Sequence, residues 1–546
     1  MGNRLIDYYN ELLSEDNIQD NIVYIESHVG NDLAGNMYYL AREFLLQDKQ
    51  YIIGIASKGG NVPKNVRLLI DKFGDSRIKL LEVNSVNQVT YLAIARYLFT
   101  DVQFNSIYRK RHGQVCVQTW HGTPLKKLGY DFFDDVAWTG AQKKSFIDSD
   151  IVLYPNKYTQ NNMNKSYRLE SYAGRDIILG YPRNSIFFDS KSEHDVRLKE
   201  RLINKKVFAY MPTWRGNLGN IVDSYEIIKK MLDTIDNALD DGSVMYVNLH
   251  RLMREKLDFT RYYRVKPFPD DYETYEFLNC VDCLITDYSS VMIDFLCTRK
   301  KIILWMYDKD EYLKRQGMYL DIESLPFAKV KTIEELLYEM GTKKEYDDAK
   351  VYKQFCSEDE FDTPRKLYQM IIDLHSNKKG NHLSIENDKK RYLFYGGDLS
   401  PSDHTTDFID WIDAMLEDKS KIISVAYKNI DFIKEPLRIQ ALDKKVDLIS
   451  LDYYCNDILF DSNNCEDTKM WPIAYQTQFH GIRFEKVICY INRYDEMLRI
   501  FTASNNDVTF VIDERNMEHE EIQKIKSLAY ECKASVVNDI NSVKYS

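Results

Sequence analysis

The sequence predicts an α/β fold built from three parallel-sheet units that follow one another along the chain. Apolar strand-like runs alternate with amphipathic helical patterns over most of the 546 residues, which is typical of parallel strands joined by helices. The alternation is interrupted near residue 182 and again at residue 375. A chain of this length also exceeds what a single hydrophobic core supports, so several domains are expected.

The first two series predict two Rossmann-like domains. Residues 1–182 contain the strand-like runs NIVYIES, YIIGIAS, IKLLEV, VCVQTW, IVLYP and DIILGYP. Residues 183–374 contain VFAYMPTW, VMYVNLH, CLITD and KIILWMY, with helical patterns between them. Two such domains facing a cleft form the GT-B type arrangement of nucleotide-sugar transferases. Ligands of open α/β sheets bind beyond the carboxyl ends of the strands.

The rest of the chain predicts a linker and a third domain. Residues 375–388 are polar and turn-forming, as expected of a linker. Residues 389–546 contain a third α/β series, long enough to bury its own core. The run LFYGGDLSPSDHTTDFIDWIDAML resembles the first strand, turn and helix of GT-B glycosyltransferases. Because the second half of such an enzyme is missing, we expect an accessory α/β module for interaction or acceptor binding.

Composition narrows the classes of partner. The formal net charge of −11 argues against nucleic-acid binding, so an anionic substrate must meet local basic clusters. The nine cysteines are scattered, as in reduced, cytoplasmic proteins. No signal peptide is visible, and no run approaches the ~20 apolar residues of a membrane span. The oligomeric state is left open.

The segment QTWHGTPLKKLGYD carries the strongest functional signal. A buried strand-like run ends there and is followed by a histidine, by turn-forming residues and by paired lysines. A histidine beside flexible backbone at a strand exit is suited to proton transfer in a cleft, and the lysines to a negatively charged substrate. The sequence therefore predicts His121 as a catalytic residue. The cleft residues predicted around it are Gly122, Thr123, Lys126 and Lys127.

The segment CLITDYSSVMIDF offers a complementary phosphate site. Thr286, Asp287, Ser289 and Ser290 follow a strand and lead into a helical pattern. Free N–H groups at a helix start, together with hydroxyls, bind a diphosphate, although an ordinary serine cap is the alternative. The carboxylate of Asp287 is anionic, so we expect it to orient the loop or to contact the substrate's hydroxyls.

Further polar residues follow other predicted strands. Thr213 and Arg215 come after VFAYMP, and arginine forms two parallel bonds to phosphate; an exposed salt bridge is the alternative. His250 ends the run VMYVNLH. Arg183 and Asn184 lie near the crossing between the two domains, where they line the cleft or fasten the hinge.

Residues 20–340 resemble the CDP-glycerol glycerophosphotransferase family of teichoic acid and capsule synthesis. The resemblance rests on five motifs in order: QTWHGTPLKKLGYD, LGYPRN, YMPTWRGN, LITDYSSVMIDF and the weaker YDKDEYLKRQGMYLD. It implies a GT-B fold and transfer of glycerol phosphate, or another polyol phosphate, from a CDP-polyol to a hydroxyl of a lipid-linked acceptor, releasing CMP. It also implies His121 as the general base and His250 as a second catalytic histidine. The family usually has proline after that second histidine, where this chain has Arg251.

The resemblance also sets the expected partners. CDP-glycerol or CDP-ribitol is the donor, and no further cofactor is predicted. Glu273 and Glu276 lie in a charged helical pattern without DxD spacing, which we interpret as a solvated face, so no metal ligand is predicted and dependence on a divalent metal stays open. A lipid-linked acceptor implies a peripheral position on the inner face of the plasma membrane. The basic run Arg109, Lys110 and Arg111, after YLAIARYLFTDVQFNSIY, predicts either an anionic-membrane contact or a buried helix with a basic loop.

Two other functions compete with this one. A GT-B glycosyltransferase using a nucleotide-activated sugar would need a catalytic carboxylate in the first domain. A non-catalytic scaffold of a capsule assembly complex would need neither His121 nor the serine pair. The sequence does not separate glycerol from ribitol donors or a primase from a polymerase, and it does not identify the acceptor.

Overall fold

A computed structural model describes residues 3–59, 62–105, 107–132, 136–169, 174–213, 221–315, 317–378, 389–428, 442–451, 470–479, 482–503 and 507–543. Three parallel sheets organise these residues. We call the units built on them the first lobe, the second lobe and the third domain.

The first lobe contains seven parallel strands in the order β3-β2-β1-β4-β5-β6-β7. The strands are β1 (Gln19–Glu26), β2 (Ile52–Ser57), β3 (Ile78–Glu82), β4 (Ala95–Thr100), β5 (Val115–Gln118), β6 (Ile151–Tyr154) and β7 (Arg175–Ile178). The helices are α1 (Asn3–Ser14), α2 (Asn36–Gln47), α3 (Lys64–Phe73), α4 (Val86–Ile94), α5 (Val136–Asp148) and α6 (Lys157–Ser166). β5 and β6 are buried along their whole length, which explains their largely apolar sequences.

The second lobe contains six parallel strands in the order β10-β9-β8-β11-β12-β13. The strands are β8 (Lys206–Tyr210), β9 (Ser243–Val247), β10 (Val265–Pro267), β11 (Cys283–Thr286), β12 (Lys301–Trp305) and β13 (Ala328–Val330). The helices are α7 (Ser190–Lys199), α8 (Ile221–Ala238), α9 (Arg251–Arg254), α10 (Thr274–Asn279), α11 (Val291–Phe295), α12 (Lys309–Arg315), α13 (Ile333–Gly341), α14 (Ala349–Phe355) and α15 (Thr363–Lys378).

The third domain contains six parallel strands in the order β16-β15-β14-β17-β18-β19. The strands are β14 (Lys390–Tyr395), β15 (Lys421–Lys428), β16 (Asp447–Leu451), β17 (Lys486–Ile491), β18 (Asp507–Ile512) and β19 (Ser535–Val537). The helices are α16 (Asp403–Met415), α17 (Met470–Phe479), α18 (Leu498–Thr502) and α19 (His519–Cys532). The strand order reverses beside β14, as in doubly wound Rossmann folds, and confirms the third predicted α/β unit.

The boundary between the second lobe and the linker differs from the prediction. α15 extends through Lys378, so the first residues of the predicted linker 375–388 are helical, and residues 379–388 lie outside the described part. α15 also packs on the first lobe. The ring of Tyr368 lies 4.8 Å from that of Phe44, and the hydroxyl of Tyr97 lies 3.0 Å from Nδ1 of His375. The last helix of the second series therefore links the two lobes.

The segment considered for membrane contact belongs to the interior of the first lobe. Its part Ala95–Thr100 is β4, a strand paired with β1 and β5 that the sequence patterns did not reveal. The basic residues after it have protein partners: the Arg109 guanidinium lies over the ring of Tyr9, Lys110 pairs with Asp150 at 2.8 Å, and Arg111 donates to a backbone carbonyl. Among the described helices, none is long and apolar enough to cross a bilayer.

The third domain docks on the first lobe through buried polar contacts. Lys143 of α5 pairs with Asp447 at the start of β16, and both side chains are almost fully buried. The hydroxyls of Tyr130 and Tyr427 lie 2.8 Å apart. The third domain is therefore packed against the first lobe.

We expect a chain ending after residue 378 to keep the two-lobe fold but to melt at a lower temperature. One hydrophobic cluster runs through both lobes without third-domain residues, whereas Tyr130 and Lys143 would lose their third-domain partners, Tyr427 and Asp447. Thermal unfolding by circular dichroism, compared with the full chain, measures the change. The absence of a cooperative transition would show that the lobes need the third domain to fold.

Candidate active site

His121 is presented by a strained turn at the end of β5. The strand ends at Gln118, and the next residues place Trp120 in the left-handed region, with φ of 53°. A bulky residue in this region is unfavourable and is kept by the surrounding structure. The indole of Trp120 lies against the imidazole of His121, with ring centroids 4.2 Å apart.

One hydrogen bond fixes the proton on this imidazole. Nδ1 of His121 lies 2.9 Å from the backbone oxygen of Asp101. A carbonyl oxygen is an acceptor, so Nδ1 donates and Nε2 keeps its lone pair. Solvent reaches the side chain from the cleft, but protein atoms surround its other sides. This desolvation lowers the pKa of His121 despite the bond to Asp101, so the ring is neutral at neutral pH and competent as a base.

Asp101 also positions a second histidine that the sequence analysis missed. Its buried carboxylate accepts hydrogen bonds from the hydroxyl of Ser27, at 2.7 Å, and from the backbone N–H of His28, at 2.8 Å. Nε2 of His28 lies 3.6 Å from the same carboxylate, and its ring is 6.0 Å from that of His121. His28 directly follows the run NIVYIES, so the strand-exit argument used for His121 applied to it as well.

A cavity of about 310 Å³ between the lobes brings the two main motifs together. We call it the inter-lobe cavity. Its first-lobe wall includes His121, Gly122, Thr123 and Lys126, and its second-lobe wall includes Thr213, Tyr288, Ser289 and Ser290. These are the predicted catalytic histidine, three of the predicted cleft residues and three of the predicted donor-binding residues. The strand-exit patterns thus located groups that are distant in sequence but share one cavity.

Gly122 lets the lobes approach each other at this cavity. A Cβ atom at this position would lie 2.5 Å from Oγ of Ser290 and 3.4 Å from its Cβ. Any side chain here would therefore displace the serine hydroxyl. The glycine of the HGTP motif is needed for close contact with the serine motif of the other lobe.

The loop after β11 is shaped by its own polar groups. The Asp287 carboxylate accepts from the backbone N–H of Thr213, at 2.8 Å, and from that of Tyr288. The Thr286 hydroxyl donates to the carbonyl of Met211, at 2.6 Å, and is buried. These two residues join the loops after β8 and β11, whereas Ser289 and Ser290 face the cavity. α11 has five residues, so its dipole is small and the hydroxyls become the main donors.

A segment of the second lobe crosses the cleft and binds the motif loop. Lys126 and Met318 form an antiparallel bridge, the Lys127 N–H donates to the Gly317 carbonyl at 2.8 Å, and the Tyr319 N–H donates to the Leu125 carbonyl at 2.8 Å. This contact explains the weaker motif that ends in QGMYLD. These backbone bonds hold Lys126 and Lys127 in position, and Lys126 lines the inter-lobe cavity.

A second, larger cavity of about 560 Å³ opens on the other side of His121. We call it the first-lobe cavity. It shares Trp120, His121, Lys126 and Leu128 with the inter-lobe cavity. The remaining lining residues are His28, Val29, Val102, Lys127, Gly129, Phe132, Thr139, Gln142 and Tyr167. His121 therefore lies at the junction of two cavities, one between the lobes and one within the first lobe.

Arg183 and Asn184 are buried at the hinge. The Arg183 guanidinium donates to the backbone oxygen of His121, at 2.9 Å, and to the Asp294 carboxylate in α11, at 2.8 Å. Burial disfavours its charge, but Asp294 outweighs this and keeps the pKa of Arg183 above its ordinary value. Asn184 donates to Asp359, at 3.0 Å. Of the two roles predicted for this pair, the contacts correspond to fastening the hinge.

Other predicted residues stand apart from the junction. His250 is exposed three residues beyond β9, and its carbonyl accepts from the first turn of α9. It is not among the described residues that line the two cavities. Arg215 lies outside the described residues. Glu273 was interpreted as part of a solvated face, but it is buried, and its carboxylate accepts from the Tyr275 N–H and from the hydroxyl of Tyr39 in the first lobe.

One group of described side chains has donor atoms close enough for a metal ion: Cys297, Cys356 and Asp359. It is buried in the hinge, where the Asp359 carboxylate accepts from the backbone N–H of Tyr181 and from Asn184. Burial raises the pKa of Asp359 to about 7. A carboxylate used in this way has a structural role, and the group lies away from the lining of both cavities.

The fold and site define a two-lobed transferase, and comparisons with known proteins specify the class. A family model described as CDP-Glycerol:Poly(glycerophosphate) glycerophosphotransferase matches residues 8–373. The teichoic acid poly(glycerol phosphate) polymerase of Bacillus spizizenii is 30% identical over 322 residues, or 55% of this chain and 81% of that protein. The teichoic acid glycerol-phosphate transferase of Staphylococcus aureus is 31% identical over 284 residues, or 47% of this chain and 70% of that protein.

Solved structures support the same fold. The wall teichoic acid polymerase TagF superposes with a TM-score of 0.59 at 23% identity, over 69% of this chain and 95% of that chain. A histidine variant of TagF soaked with CDPG superposes with a TM-score of 0.56. This chain belongs to the CDP-glycerol:poly(glycerophosphate) glycerophosphotransferase family. The predicted family, GT-B type fold and enzyme class are confirmed, and with them transfer from a CDP-activated polyol as the reaction class.

Replacing Arg183 by methionine should destabilise the protein strongly. The substitution leaves the Asp294 carboxylate buried without its cation, and breaking such a pair costs about 3–5 kcal/mol. Denaturant unfolding of Arg183→Met and wild type gives the difference in the free energy of unfolding. The double variant with Asp294→Asn removes the unpaired charge and should recover part of the loss. Equal stability of Arg183→Met and wild type would contradict the role of this pair.

Gly122→Ala should lower the melting temperature, because the added methyl group meets the Ser290 hydroxyl. The double variant Gly122→Ala/Ser290→Ala removes that oxygen and should regain most of the lost stability. Such non-additivity is the signature of a direct contact. Differential scanning calorimetry of both variants, with Ser290→Ala as control, tests the contact. Simple addition of the two single effects would mean that the residues do not interact.

Proposed function

We propose that this protein transfers glycerol phosphate, or another polyol phosphate, from a CDP-polyol to a hydroxyl of a lipid-linked acceptor, in teichoic acid or capsule polymer synthesis, and releases CMP. The roles that we assign to the site residues rest on one observation. His121 has an unprotonated Nε2 and lies where the inter-lobe cavity and the first-lobe cavity meet. A base at this position reaches a donor on one side and an acceptor on the other.

The reaction needs a nucleophile made from a weakly acidic alcohol. The acceptor hydroxyl attacks the β-phosphorus of the donor while Nε2 of His121 takes its proton. The bond between the β-phosphorus and the bridging oxygen breaks, and CMP leaves with the electron pair. A positioned general base of this kind contributes roughly 10²–10⁴-fold to the rate. The charge on the resulting imidazolium is stabilised by the Asp101 carbonyl at Nδ1.

The donor diphosphate occupies the inter-lobe cavity in this proposal. The hydroxyls of Ser289 and Ser290, the N–H groups of their loop and the ammonium group of Lys126 supply donors around the phosphates. Thr213 lines the same cavity. Asp287 and Thr286 act on the donor indirectly. Their polar groups join the loop that carries Thr213 to the loop that carries the two serines. We assign Arg215 to the donor as well, because it lies in the family motif YMPTWRGN. His250 is retained as a second catalytic histidine on the family resemblance alone.

The acceptor end occupies the first-lobe cavity. Its lining combines amide and hydroxyl groups of Gln142 and Thr139 with the lysine pair and with aromatic rings. Such a lining suits a polyol chain joined by phosphodiesters, which presents hydroxyls and regularly spaced negative charges. A lipid-linked acceptor would place the protein in the cytoplasm, at the inner face of the plasma membrane.

The competing glycosyltransferase reaction needs a catalytic carboxylate in the first lobe. The carboxylate of Asp101 interacts with His121, and it is bound to Ser27 and to the backbone of His28. It is therefore used to build the loop. No described contact favours sugar transfer over polyol-phosphate transfer.

The reaction is tested by incubating the protein with CDP-glycerol or CDP-ribitol and a lipid-linked polyol-phosphate acceptor. We expect acceptor-dependent release of CMP and a matching gain in acceptor mass. Comparing the two donors identifies the polyol, and the length of the product separates a primase from a polymerase. Absence of CMP release with either donor would overturn the proposal.

The pH dependence of kcat/KM tests the base. His121 must be neutral to accept a proton, and burial lowers its pKa below the ordinary value of about 6.5. Activity should therefore rise with pH, with an acidic limb centred below pH ~6.5. An acidic limb centred above pH ~7 would contradict the assignment.

The matched variant is His121→Gln, which keeps a polar side chain but cannot accept the proton. It should lose roughly 10²–10⁴-fold in kcat and its acidic limb, while calorimetry still detects CDP binding. Near-normal turnover by this variant would remove His121 from the role of base.

A further inference from the structure

The third domain braces the wall of the first-lobe cavity. Three of the residues that line this cavity are each followed in the sequence by a residue that contacts the third domain. The pairs of lining and docking residues are Gly129 and Tyr130, Gln142 and Lys143, and Tyr167 and Arg168. Consecutive residues share a peptide unit, so the position of each docking residue sets that of its neighbour in the cavity wall.

The first of these contacts is a buried ion pair. Lys143 in α5 pairs with Asp447, and its ammonium group also donates to the carbonyl of Arg168, at 2.7 Å. The Asp447 carboxylate accepts from the hydroxyl of Ser424, at 2.7 Å, in the neighbouring strand β15. The pair therefore joins two wall segments, around Gln142 and around Tyr167, to the edge of the third sheet. Removing one partner of such a buried pair leaves an uncompensated charge, so the pair ties the two elements together.

The second contact involves the segment that continues from the motif loop. The Tyr130 ring packs within a hydrophobic cluster formed otherwise by third-domain residues, and its hydroxyl is 2.8 Å from that of Tyr427. The Arg168 guanidinium lies 5.4 Å from the Tyr130 ring and donates to the Val446 carbonyl, at 3.1 Å. Tyr130 is two residues from Leu128, which lines both cavities. The third domain thus fixes the chain just beyond the catalytic histidine and the lysine pair.

None of these contacts reaches the inter-lobe cavity. Among its lining residues, those from the second lobe are Pro212, Thr213, Tyr288, Ser289 and Ser290, and none of the described third-domain residues is included. The docking residues therefore adjoin the wall of the first-lobe cavity and have no described contact with the second-lobe wall of the inter-lobe cavity. A change at this interface should affect the first-lobe cavity more than the second-lobe groups assigned to the donor.

We infer that Tyr130 and Lys143, through Tyr427 and Asp447, are positioning residues that shape the binding site for a polyol-phosphate acceptor. The inference rests on the proposed function, in which the acceptor occupies the first-lobe cavity. It gives the third domain a role in recognising the acceptor chain, exerted through the wall that carries Gln142 and Tyr167. The second-lobe groups assigned to the donor, Thr213, Ser289 and Ser290, lie outside this wall.

Tyr427→Phe in the full chain tests this inference, because it removes one hydroxyl at the interface and keeps the ring. The matched control is Tyr395→Phe, another buried strand tyrosine of the third domain, whose hydroxyl donates to Asp495 within that domain at 3.0 Å. For Tyr427→Phe we expect KM for the acceptor to rise about fivefold, as for one lost hydrogen bond of about 1 kcal/mol. KM for CDP-glycerol and the slow hydrolysis of CDP-glycerol without acceptor should stay unchanged. The control should leave all three values unchanged.

The reciprocal variant Tyr130→Phe should behave as Tyr427→Phe does, and the double variant should show no further rise, because all three lack the same bond. An unchanged acceptor KM in both single variants, or an equal rise in the donor KM, would overturn the inference. Hydrogen exchange gives a readout that does not need turnover: α5 should exchange faster in Tyr427→Phe than in Tyr395→Phe. If the wild-type protein transfers nothing, the proposed function is wrong. If α5 exchanges equally fast in Tyr427→Phe and Tyr395→Phe, the positioning role of the third domain is wrong, whatever the activity.

Discussion

The geometry of the cleft depends on the buried guanidinium of Arg183. It donates to the backbone oxygen of His121 in the first lobe and to Asp294 in α11 of the second. The rings of Tyr181 and Tyr275 lie on either side, with centroids 4.8 and 4.9 Å from its central carbon. α11 begins one residue after Ser290, so a single planar side chain sets the distance between the base and the hydroxyls assigned to phosphate. Lysine offers a point charge and lacks the rigid fork that makes both bonds.

Much of the fold could be predicted, because buried parallel strands have continuous apolar sequences. The runs VCV and IVLY in the first lobe and CLIT in the second are examples, and each became a strand. β4 was missed since ARYLFT continues the apolar pattern of α4 without a break, and a helix and a strand of this length look alike in periodicity. The packing of α15 on the first lobe was also unpredictable, because the sequence of an apolar helix face does not identify the domain against which it packs.

The site was predicted to the extent that its residues follow strands. His121, Thr213, Ser289 and Ser290 share one cavity because parallel strands bring their carboxyl ends to one edge of each sheet, and these edges of the two lobes line the same cavity. The partners of these residues could not be derived in the same way. The Asp101 carbonyl that fixes the His121 tautomer and the backbone bridge to Met318 involve main-chain atoms, which every residue possesses. The burial of Glu273 was misjudged for a related reason, since its partners Gly35 and Tyr39 lie in the other lobe.

The charges around His121 suggest how an anionic donor and a neutral base can share one cleft. Desolvation lowers the pKa of His121, and the positive charge of Arg183 lowers it further, so the empty enzyme holds a neutral ring. A diphosphate that enters the inter-lobe cavity adds negative charge near the same ring. Nearby negative charge favours the imidazolium form and raises its pKa. The proton affinity of the base therefore increases when the donor arrives. In the proposed mechanism, the donor thus offsets the positive charge of Arg183, which helps to keep His121 neutral in the free enzyme.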